Sequence, residues 1–274
     1  MTRAPGDVGR DETLRYDGIE SRVFLPAGGN RAPALVVLHE RYGLVRHTLD
    51  LARKAAAGGL VGVAPDLFSR WPGDRAALAR GDVRVVLPDG EVAASLHRTI
   101  DELRGHPRVD PARIALMGVC QSGRYAIVVG SERSDLAACV VLYGAAQERD
   151  WESNDEQPRA MPEMIARLGA PTLFLFGEAD HVISLDDVAR LRAALEESQK
   201  NYRMRVFAGM PHGWLNDTMP GRYRAAQAAE AWAMIRAFMD EAFAGVWSRP
   251  GRVRWEFASD TSVDYDFSRN RRFE

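Results

Sequence analysis

The segment RIALMGVCQSGRYAIVVGSER, residues 113–133, decides the fold. It begins with an apolar run typical of a buried β-strand, Arg113–Val119, and its second half has the composition of a helix. The turn between them, GVCQSG, places Cys120 at a sharp corner. A nucleophile in such a strained turn needs very small residues two positions before and after it, and Gly118 and Ser122 meet that requirement. The segment therefore predicts a strand, a nucleophile elbow and a helix.

The cysteine of this turn has a second interpretation. A cysteine at the end of a buried strand often serves as a small hydrophobic residue, so the turn alone does not assign a nucleophile. Ser122 is not the nucleophile, because Arg124 stands two residues after it and would clash in the turn. The chain has 2 cysteines, Cys120 and Cys139, and we expect both to be free thiols.

Short β-rich runs alternate with longer helical runs along most of the chain. The predicted strands are Arg22–Leu25, Ala34–His39, Leu60–Ala64, Arg113–Val119, Ala138–Tyr143, Thr172–Phe176 and Arg203–Phe207. The predicted helices are Arg46–Ala57, Glu91–Arg104, Ser122–Arg133, Leu185–Glu197 and Tyr223–Phe243. This alternation is typical of an α/β fold in which a mainly parallel central sheet is flanked by helices on both faces.

The chain is predicted to form one α/β domain over residues 1–246, followed by a C-terminal extension over residues 247–274. The extension has little periodicity, and three outcomes are open: it docks on the body, docks on a second subunit in a homodimer, or stays disordered. Its aromatic residues are Trp255, Phe257, Tyr265 and Phe267. The acidic segment Gln147–Pro158 follows a strand end, so it is either a lid over the site or a solvated loop.

Composition excludes several classes of partner. The 36 basic and 38 acidic residues leave a net charge of −2 without a long run of like charges, so neither nucleic acid nor an anionic membrane is an expected partner. The longest apolar runs, such as Leu35–Leu38 and Leu173–Phe176, are far shorter than the ~20 residues of a transmembrane helix. The first residues, MTRAPGDVGRDE, lack the apolar core of a secretion signal, so the cytoplasm is the expected location.

Two further reactive side chains follow the cysteine in the order that this type of elbow requires, acid before histidine. Asp180 comes after the strand Thr172–Phe176, and the glycine-flanked His212 comes after the strand Arg203–Phe207. The carboxyl ends of parallel strands lie at one edge of a sheet, so all three side chains are expected to meet there. The sequence therefore predicts Cys120 as nucleophile, His212 as general base and Asp180 as the group that orients the histidine.

These assignments have competitors. Asp180 is also explained as a helix cap or a solvated carboxylate, and Asp186 and Asp187 are rival acids in the same region. His212 is also explained as a turn residue, although it is the histidine that follows the last predicted strand. The joint occurrence of all three types in the required order favours a catalytic triad.

This arrangement resembles the dienelactone hydrolase family of α/β-hydrolases. The strand that ends at Leu38 runs into HERYG, residues 39–43, which is similar to the family's strand ending in an acidic residue, a bulky residue and a glycine. The segment Ala64–Phe68, after the next strand, also looks like the family's. The resemblance covers approximately Leu14 to Gly245 and implies an α/β-hydrolase fold.

The resemblance also implies roles for residues near the elbow. In the family, a glutamate at the place of Glu40 hydrogen-bonds the resting thiol, and backbone amides at the places of Arg41 and Gln121 form the oxyanion hole. Two functions remain open for Glu40: it keeps the thiol protonated until substrate arrives, or it anchors the loop. A free thiol with a pKa near ~8.5 is only slightly ionised at neutral pH, so His212 must activate it.

The sequence predicts a cysteine-dependent hydrolase that needs no cofactor and opens a lactone or cleaves a carboxylic ester through an acyl-thioester intermediate. Two alternatives are a thioesterase or other acyl hydrolase with the same triad, and an inactive binding scaffold in which Cys120 is a decayed serine. A metal centre is disfavoured, because the adjacent His39 and Glu40 are expected on opposite faces of a strand and the chain has no HxxxH or CxxC spacing.

The predicted pocket wall consists of Tyr143, Trp214 and Asn216. Dienelactone enzymes of the family hold a substrate carboxylate with arginines, one of them four residues after the histidine, where this chain has Asn216. The other arginine has several candidates in this chain, Arg70, Arg75 and Arg80. With one clamp residue missing, the sequence predicts a preference for neutral lactones and esters, unless a cation such as Arg41, Arg70 or Arg124 reaches the site.

Overall fold

A nine-stranded sheet forms the centre of the computed structural model, which describes residues 8–247 and 253–260. The strands are β1 (Val8–Tyr16), β2 (Ile19–Pro26), β3 (Ala32–Leu38), β4 (Val61–Pro65), β5 (Val109–Val119), β6 (Ala138–Leu142), β7 (Thr172–Gly177), β8 (Tyr202–Phe207) and β9 (Trp255–Ser259). Their order across the sheet is β1-β2-β4-β3-β5-β6-β7-β8-β9. The pairs β1–β2 and β2–β4 are antiparallel, and every pair from β4 to β9 is parallel.

Helices cover both faces of this sheet. They are α1 (Arg46–Ala57), α2 (Arg75–Arg80), α3 (Asp89–Gly105), α4 (Gly123–Glu132), α5 (Met161–Arg167), α6 (Leu185–Glu197) and α7 (Ala225–Phe243). The predicted α/β architecture, with a mainly parallel sheet between two helical layers, is therefore confirmed.

Two apolar cores separate at the sheet because successive residues of a strand point to opposite faces. In β5, Leu116 packs with α3 to α6 on one face, while Ala115 and Met117 pack with α1 and α7 on the other. The central parallel strands β4, β6 and β7 are buried on both faces, which explains their uninterrupted apolar sequences. The parallel pairing of β5, β6, β7 and β8 places the ends of β5, β7 and β8 at one edge of the sheet.

Four elements were not predicted from the sequence. The strand β1 has mostly polar, exposed residues and pairs only with β2 at the sheet edge, so its apolar signal is weak. The helices α2 and α5 span only 6 and 7 residues, too short to show helical periodicity. The strand β9 lies in the C-terminal extension, where it pairs in parallel with β8.

The C-terminal extension thus contributes to the central sheet in its described part. Trp255 and Phe257 lie in β9, whereas Tyr265 and Phe267 fall outside the described residues. Within residues 8–247 and 253–260, no helix combines the length and the apolar character needed to cross a bilayer.

Candidate active site

The turn after β5 has the geometry of a strained elbow. Cys120 has a φ of 56°, in the left-handed region that residues other than glycine rarely adopt. A side chain at Gly118 would overlap the Ser122 carbonyl oxygen, and one at Gly144 would overlap the carbonyl oxygen of Cys120. The elbow therefore requires glycine at position 118, as its spacing indicated, and also at position 144 on the neighbouring strand end.

Ser122 fastens the elbow to the strand beside it. Its Oγ accepts a hydrogen bond from the Val119 amide at 2.8 Å and lies 3.2 Å from the carbonyl oxygen of Leu38, at the end of β3. Ser122 is fully buried, so this hydroxyl satisfies backbone groups that water cannot reach. Ser122 therefore fits the narrow turn and also stabilises it through these hydrogen bonds.

The structure brings the three predicted triad residues together. The Nε2 atom of His212 lies 3.0 Å from Cys120 Sγ, and its Nδ1 atom lies 2.8 Å from Asp180 Oδ2. The other oxygen of Asp180 accepts hydrogen bonds from the backbone amides of Val182 and Ile183 at 2.7 and 3.1 Å. These amides fix the carboxylate, which in turn fixes the orientation of the imidazole.

The rival acids serve the following helix. Asp187 accepts hydrogen bonds from the backbone amide and hydroxyl of Ser184 at 2.8 and 2.7 Å, and Ser184 caps the N-terminus of α6. Asp186 lies in the first turn of α6 and is exposed. Acidic residues at a helix N-terminus favour the helix through its dipole, so both positions have a structural explanation.

The electrostatic environment makes His212 a strong base. Burial lowers the pKa of His212, but the hydrogen bond from its ring to Asp180 and the adjacent negative charge of a Cys120 thiolate outweigh burial and raise it to about 10. A histidine of this kind holds a proton at neutral pH beside the sulfur atom. In contrast, burial alone raises the pKa of Cys139 to about 12, so this second thiol stays protonated.

Glu40 is held by an amide rather than by the thiol. The Nδ2 atom of Asn216 donates to Glu40 Oε2 at 2.7 Å. The Oδ1 atom of Asn216 accepts from the hydroxyl and the backbone amide of Thr218 at 2.6 and 3.0 Å, which fixes the orientation of the amide. Cys120 Sγ contacts His212 instead, so this geometry favours the anchoring function of Glu40 over the switching function.

His39 secures the loop that carries Glu40 and Arg41. Its Nδ1 atom lies 2.7 Å from the Glu40 carbonyl oxygen, and its Nε2 atom accepts a hydrogen bond from the backbone amide of Leu67 at 3.1 Å. Burial lowers the pKa of His39, which keeps the ring neutral and allows Nε2 to accept. The sequence places His39 at the end of a strand and in the HERYG motif, and its position directly before Glu40 is the signal for this supporting contact.

A cavity of about 200 Å³ opens above the cysteine. It is lined by Glu40, Arg41, Tyr42, Arg84, Cys120, Gln121, Gln147, His181, Val182, His212 and Arg222. Both residues whose backbone amides were expected to form the oxyanion hole, Arg41 and Gln121, are in this set. The residues predicted to act as nucleophile, base and oxyanion hole therefore line one concave space.

The predicted pocket wall needs correction. Tyr143, Trp214 and Asn216 are buried behind the cavity rather than exposed to it. The Tyr143 ring packs edge-on against His212, with ring centroids 5.1 Å apart, and Trp214 packs against Phe207 at 4.8 Å. The backbone of Tyr143 has a φ of 36°, so the alternation of a regular strand does not give the direction of its side chain. Tyr143 therefore supports the His212 ring, and Trp214 packs behind Tyr143 with ring centroids 6.3 Å apart.

Three arginines bring positive charge to the cavity. Arg41, Arg84 and Arg222 line it, and Arg149 is close enough to Arg84 to lower its pKa. Burial is the larger cause of that lowered pKa, and the guanidinium of Arg41 adds to it. Cations concentrated in this way attract an anionic ligand, so the charge of the cavity opposes the expectation of neutral substrates that Asn216 suggested.

The arginines considered from the sequence have other partners. Arg70 donates to the carbonyl of Asp17, Arg75 pairs with Asp66, and Arg80 pairs with Asp82 at 2.9 Å. Arg124 is buried and donates to both carboxylate oxygens of Asp89, at 3.0 and 2.7 Å. The cavity cations that the sequence analysis missed are therefore Arg84, in the segment between α2 and α3, and Arg222, in the segment before α7.

The segment proposed as a lid is anchored at its start. Gln147 lines the cavity, and a 3₁₀ turn at Glu148–Trp151 buries Asp150 and Trp151. The Trp151 indole donates to the carbonyl of Ala146 at 3.3 Å. The residues 152–156 are exposed, so only the first part of the segment forms the rim of the cavity.

The strand order and the site together define the class of protein. Cys120 follows β5, Asp180 follows β7 and His212 follows β8, and all three meet at the carboxyl edge of a mostly parallel sheet. This constellation in this chain order characterises the α/β-hydrolase fold.

Comparison with known proteins identifies the family. The model of the dienelactone hydrolase family matches residues 19–243. The chain is 28% identical over 217 residues to a protein of Methylorubrum extorquens named "Putative carboxymethylenebutenolidase", covering 77% of this chain and 73% of that protein. It is 24% identical to a protein of Bradyrhizobium named "Probable 2-oxo-3-(5-oxofuran-2-ylidene)propanoate lactonase", covering 81% of this chain and 92% of that one.

Solved structures agree on the fold. A crystal structure titled as a putative dienelactone hydrolase from Klebsiella pneumoniae superimposes with a TM-score of 0.74 at 24% identity, covering 85% of this chain and 98% of that one. The chain belongs to the dienelactone hydrolase family of α/β-hydrolases, whose members hydrolyse lactone and ester bonds.

Proposed function

We propose that this protein opens a lactone or cleaves a carboxylic ester by covalent catalysis at Cys120, without a cofactor. The observation that carries the proposal is the continuous contact from Cys120 Sγ through His212 to Asp180 at the floor of a cavity. A thiol beside a base that is itself oriented by a carboxylate is the arrangement that activates a nucleophile.

In the first half of the reaction, the Cys120 thiolate attacks the carbonyl carbon, and the carbonyl electrons move to oxygen. Backbone amides of Arg41 and Gln121 stabilise this oxyanion. The carbon–oxygen bond of the ester then breaks, and the leaving alkoxide takes the proton from His212 Nε2. The products of this step are an acyl-thioester on Cys120 and an alcohol, which stays tethered to the acyl group when the substrate is a lactone.

In the second half, neutral His212 removes a proton from water, and the hydroxide attacks the thioester carbonyl. The carbon–sulfur bond breaks and returns the thiolate beside protonated His212. The carboxylic acid leaves as a carboxylate and a proton at neutral pH. Asp180 remains ionised throughout and stabilises the protonated imidazole.

The preferred substrates carry a carboxylate near the scissile bond. Arg41, Arg84 and Arg222 surround the cavity and provide the positive charge that a desolvated carboxylate requires. A neutral ester gains no such interaction.

A hydrolysis screen tests the proposal. Lactones and aryl esters, each with and without a carboxylate, are offered to the wild-type protein and to the variants Cys120→Ala, His212→Ala and Asp180→Asn. We expect hydrolysis by the wild type and a loss of several powers of ten in kcat for each variant, with little further loss in combination. If the Cys120→Ala variant keeps the wild-type activity, the proposal is rejected in favour of another nucleophile. If the wild-type protein hydrolyses no acyl substrate, it is rejected in favour of a binding scaffold.

Alkylation gives a second readout that needs no substrate. Iodoacetamide at neutral pH is expected to label Cys120 and to abolish activity, because this sulfur is partly exposed and contacts a protonated histidine. Cys139 is fully buried and has a raised pKa, so it provides an internal control. Peptide mapping that finds Cys139 labelled first, with activity intact, contradicts the assignment.

A further inference from the structure

The irregular segment between α2 and α3 carries Arg84 to the active site. This strap, residues 82–88, has the sequence DVRVVLP and forms neither helix nor strand. Arg84 lines the catalytic cavity together with Cys120. Within residues 8–247 and 253–260, the Arg84 side chain has neither a hydrogen bond nor an ion pair. The position of its guanidinium therefore depends on the path of the backbone that carries it.

Side chains from the elbow and from α4 hold this backbone. The Nε2 atom of Gln121 donates to the carbonyl oxygen of Val85 at 2.7 Å. The hydroxyl of Tyr125 donates to the carbonyl oxygen of Leu87 at 3.1 Å and accepts from the amide of Leu87 at 3.4 Å. Among the described residues, the backbone from Val83 to Leu87 makes no other hydrogen bond. The path of the strap thus depends on two side chains rather than on a backbone ladder.

Tyr125 is a rigid point of attachment for the strap. Its ring is only 4% exposed and belongs to the apolar core on one face of the sheet, against which Leu87 also packs. Burial raises the pKa of Tyr125, so the hydroxyl keeps its proton and its function as a donor. The attachment point lies three residues after Arg84 in the sequence. A displacement of Leu87 is therefore transmitted to Arg84 through a short length of chain.

The charge of Arg84 is close enough to act at the sulfur. Burial and the neighbouring Arg149 and Arg41 lower the pKa of Arg84, and the negative charge of a Cys120 thiolate opposes that decrease. A Coulomb interaction weakens as the two charges separate and as water enters between them. The attraction of the site for an anion therefore depends on where the strap holds Arg84.

We propose that Tyr125 is a positioning residue that holds Arg84 at the cavity through its hydrogen bonds to Leu87, and thereby determines how strongly the site selects anionic ligands. As a statement about substrates, this inference rests on the proposed function, in which a carboxylate-bearing ester or lactone is hydrolysed. Tyr125 does not line the cavity, so it acts through the strap and not by contact with the ligand.

Charge-selective alkylation tests the inference without any ester hydrolysis. Iodoacetate and iodoacetamide attack the same Cys120 thiolate and differ in charge, so the ratio of their rates cancels any change in the thiolate fraction. At low ionic strength, we expect the wild-type ratio to exceed that of a neutral cysteine peptide by about tenfold or more, because a cationic cleft concentrates anions. Arg84→Met is expected to lose a large part of this enhancement. Tyr125→Phe deletes only the hydroxyl and is expected to lose most of that same part.

A double variant identifies the route of the effect. Arg84→Met/Tyr125→Phe is expected to have the same alkylation ratio as Arg84→Met alone, because a positioning residue has no effect once the charge that it positions is gone. Hydrogen exchange of the strap amides is expected to be faster in Tyr125→Phe and unchanged in Arg84→Met. A purely structural role of Tyr125 predicts neither of these results.

Tyr202 provides the matched control. It is also a buried tyrosine, and its hydroxyl donates to Glu196 at 2.9 Å, away from the cavity lining. Tyr202→Phe is expected to keep the wild-type alkylation ratio and the wild-type hydrogen exchange of the strap. The thermal transition verifies the folding of every variant. If Tyr125→Phe does not fold, one glycine inserted between Val85 and Val86 loosens the strap without changing the core, and it is expected to lower the ratio likewise.

Hydrolysis gives the corresponding readout for substrates. For a dienelactone carboxylate, we expect Tyr125→Phe to raise KM with little change in kcat, and we expect a much smaller rise in KM for the neutral methyl ester. If the wild type hydrolyses neither compound while the alkylation ratios behave as expected, the proposed function fails and the positioning role of Tyr125 stands.

Three results would overturn the inference whether or not hydrolysis is observed. A wild-type alkylation ratio equal to that of the cysteine peptide shows that the cavity does not select anions. A wild-type ratio in Tyr125→Phe, or in the glycine insertion if that variant is used, shows that the strap does not position Arg84. A double variant with a lower ratio than Arg84→Met shows that Tyr125 acts by a route independent of Arg84.

Discussion

At the scale of single residues, Asn216 holds the Glu40 loop in place beside Cys120. Its amide holds the Glu40 carboxylate on one side and is itself held by Thr218 on the other. The Glu40 loop also carries Arg41, whose backbone amide is proposed to stabilise the oxyanion. We therefore expect Asn216 to be a positioning residue, which acts on the reaction through the loop.

Removing this amide tests the positioning role. Asn216→Ala leaves the buried Glu40 carboxylate without its donor, so we expect a loss of about 1–3 kcal/mol in the free energy of unfolding. We also expect kcat to fall with little change in KM, because the oxyanion donor loses its support. Thr218→Val, which only loosens the amide, is expected to show a smaller effect of the same kind. Wild-type stability and kcat in Asn216→Ala would show that Glu40 is held by other means.

The raised pKa of His212 predicts the alkaline limit of activity. In the proposed reaction the residue donates a proton to the leaving alkoxide, and it is protonated below a pKa of about 10. We expect kcat/KM for alkyl esters to fall as the pH rises through about 10, since kcat/KM reports the free enzyme. Aryl esters, whose leaving groups need no proton, are expected to fall much less. Parallel profiles for the two ester types would show that His212 does not serve as the general acid.

The residue scale also shows what a sequence can predict of a site. The juxtaposition of Cys120, Asp180 and His212 was predictable, because each follows a parallel strand and parallel strands end at one edge. Tyr143 was misplaced on the pocket wall, because its direction depends on a positive φ that no sequence pattern signals. Arg84 was missed for a related reason: it lies in an irregular segment whose path depends on tertiary packing.

At the scale of elements, a buried charge network connects three parts of the molecule. Arg124 on α4 donates to Asp89 at the start of α3 and lies 3.4 Å from Asp150 in the rim segment. It also donates to the carbonyl of Arg159 at 2.8 Å. Burial raises the pKa of Asp150, and the nearby Arg124 opposes that increase. The network joins the helix behind the nucleophile to the rim of the cavity.

Breaking the network is expected to destabilise the whole fold. Asp89→Ala removes the bidentate partner of the buried Arg124 guanidinium and leaves it the 3.4 Å contact with Asp150, and removing one partner of a buried ion pair costs about 3–5 kcal/mol. Denaturant unfolding measures this loss. Asp82→Ala removes an exposed partner of Arg80 and is expected to change stability by less than about 1 kcal/mol. Equal effects of the two substitutions would mean that solvent reaches Arg124.

The elements that the sequence did not predict share a physical cause. The apolar runs of β3, β5 and β7 are buried on both faces, so the pattern alone identifies them. The edge strands β1 and β9 are exposed and contain many polar residues, so local pattern does not distinguish them from loops. Their conformation is determined by backbone hydrogen bonds to a neighbour that is distant in sequence, as in the pairing of β9 with β8.

At the scale of the whole molecule, the charge of the chain is distributed unevenly. The sequence has nearly balanced charges, with a net charge of −2. The cavity nevertheless gathers Arg41, Arg84 and Arg222 around one thiol, and Arg149 stands close to Arg84. The net charge of the chain therefore argued against nucleic acid as an expected partner. It gave no information about the electric field inside the cavity, which is where a bound ligand experiences the field most strongly.

This field predicts which substrates are preferred and which residue determines the preference. For a dienelactone carboxylate and its neutral methyl ester, we expect kcat/KM to favour the anion by at least about tenfold, or about 1.4 kcal/mol. Arg84→Met is expected to remove most of that advantage while leaving the neutral ester unaffected, because it deletes a charge and keeps an apolar stem of similar length. Arg70→Met is the control, since Arg70 donates to the Asp17 carbonyl and does not line the cavity. If both variants lose the same amount, the preference arises from overall charge. If the wild type favours the neutral ester, the specificity is determined by Asn216, which stands where the family's dienelactone enzymes have an arginine. The cavity arginines then bind another ligand.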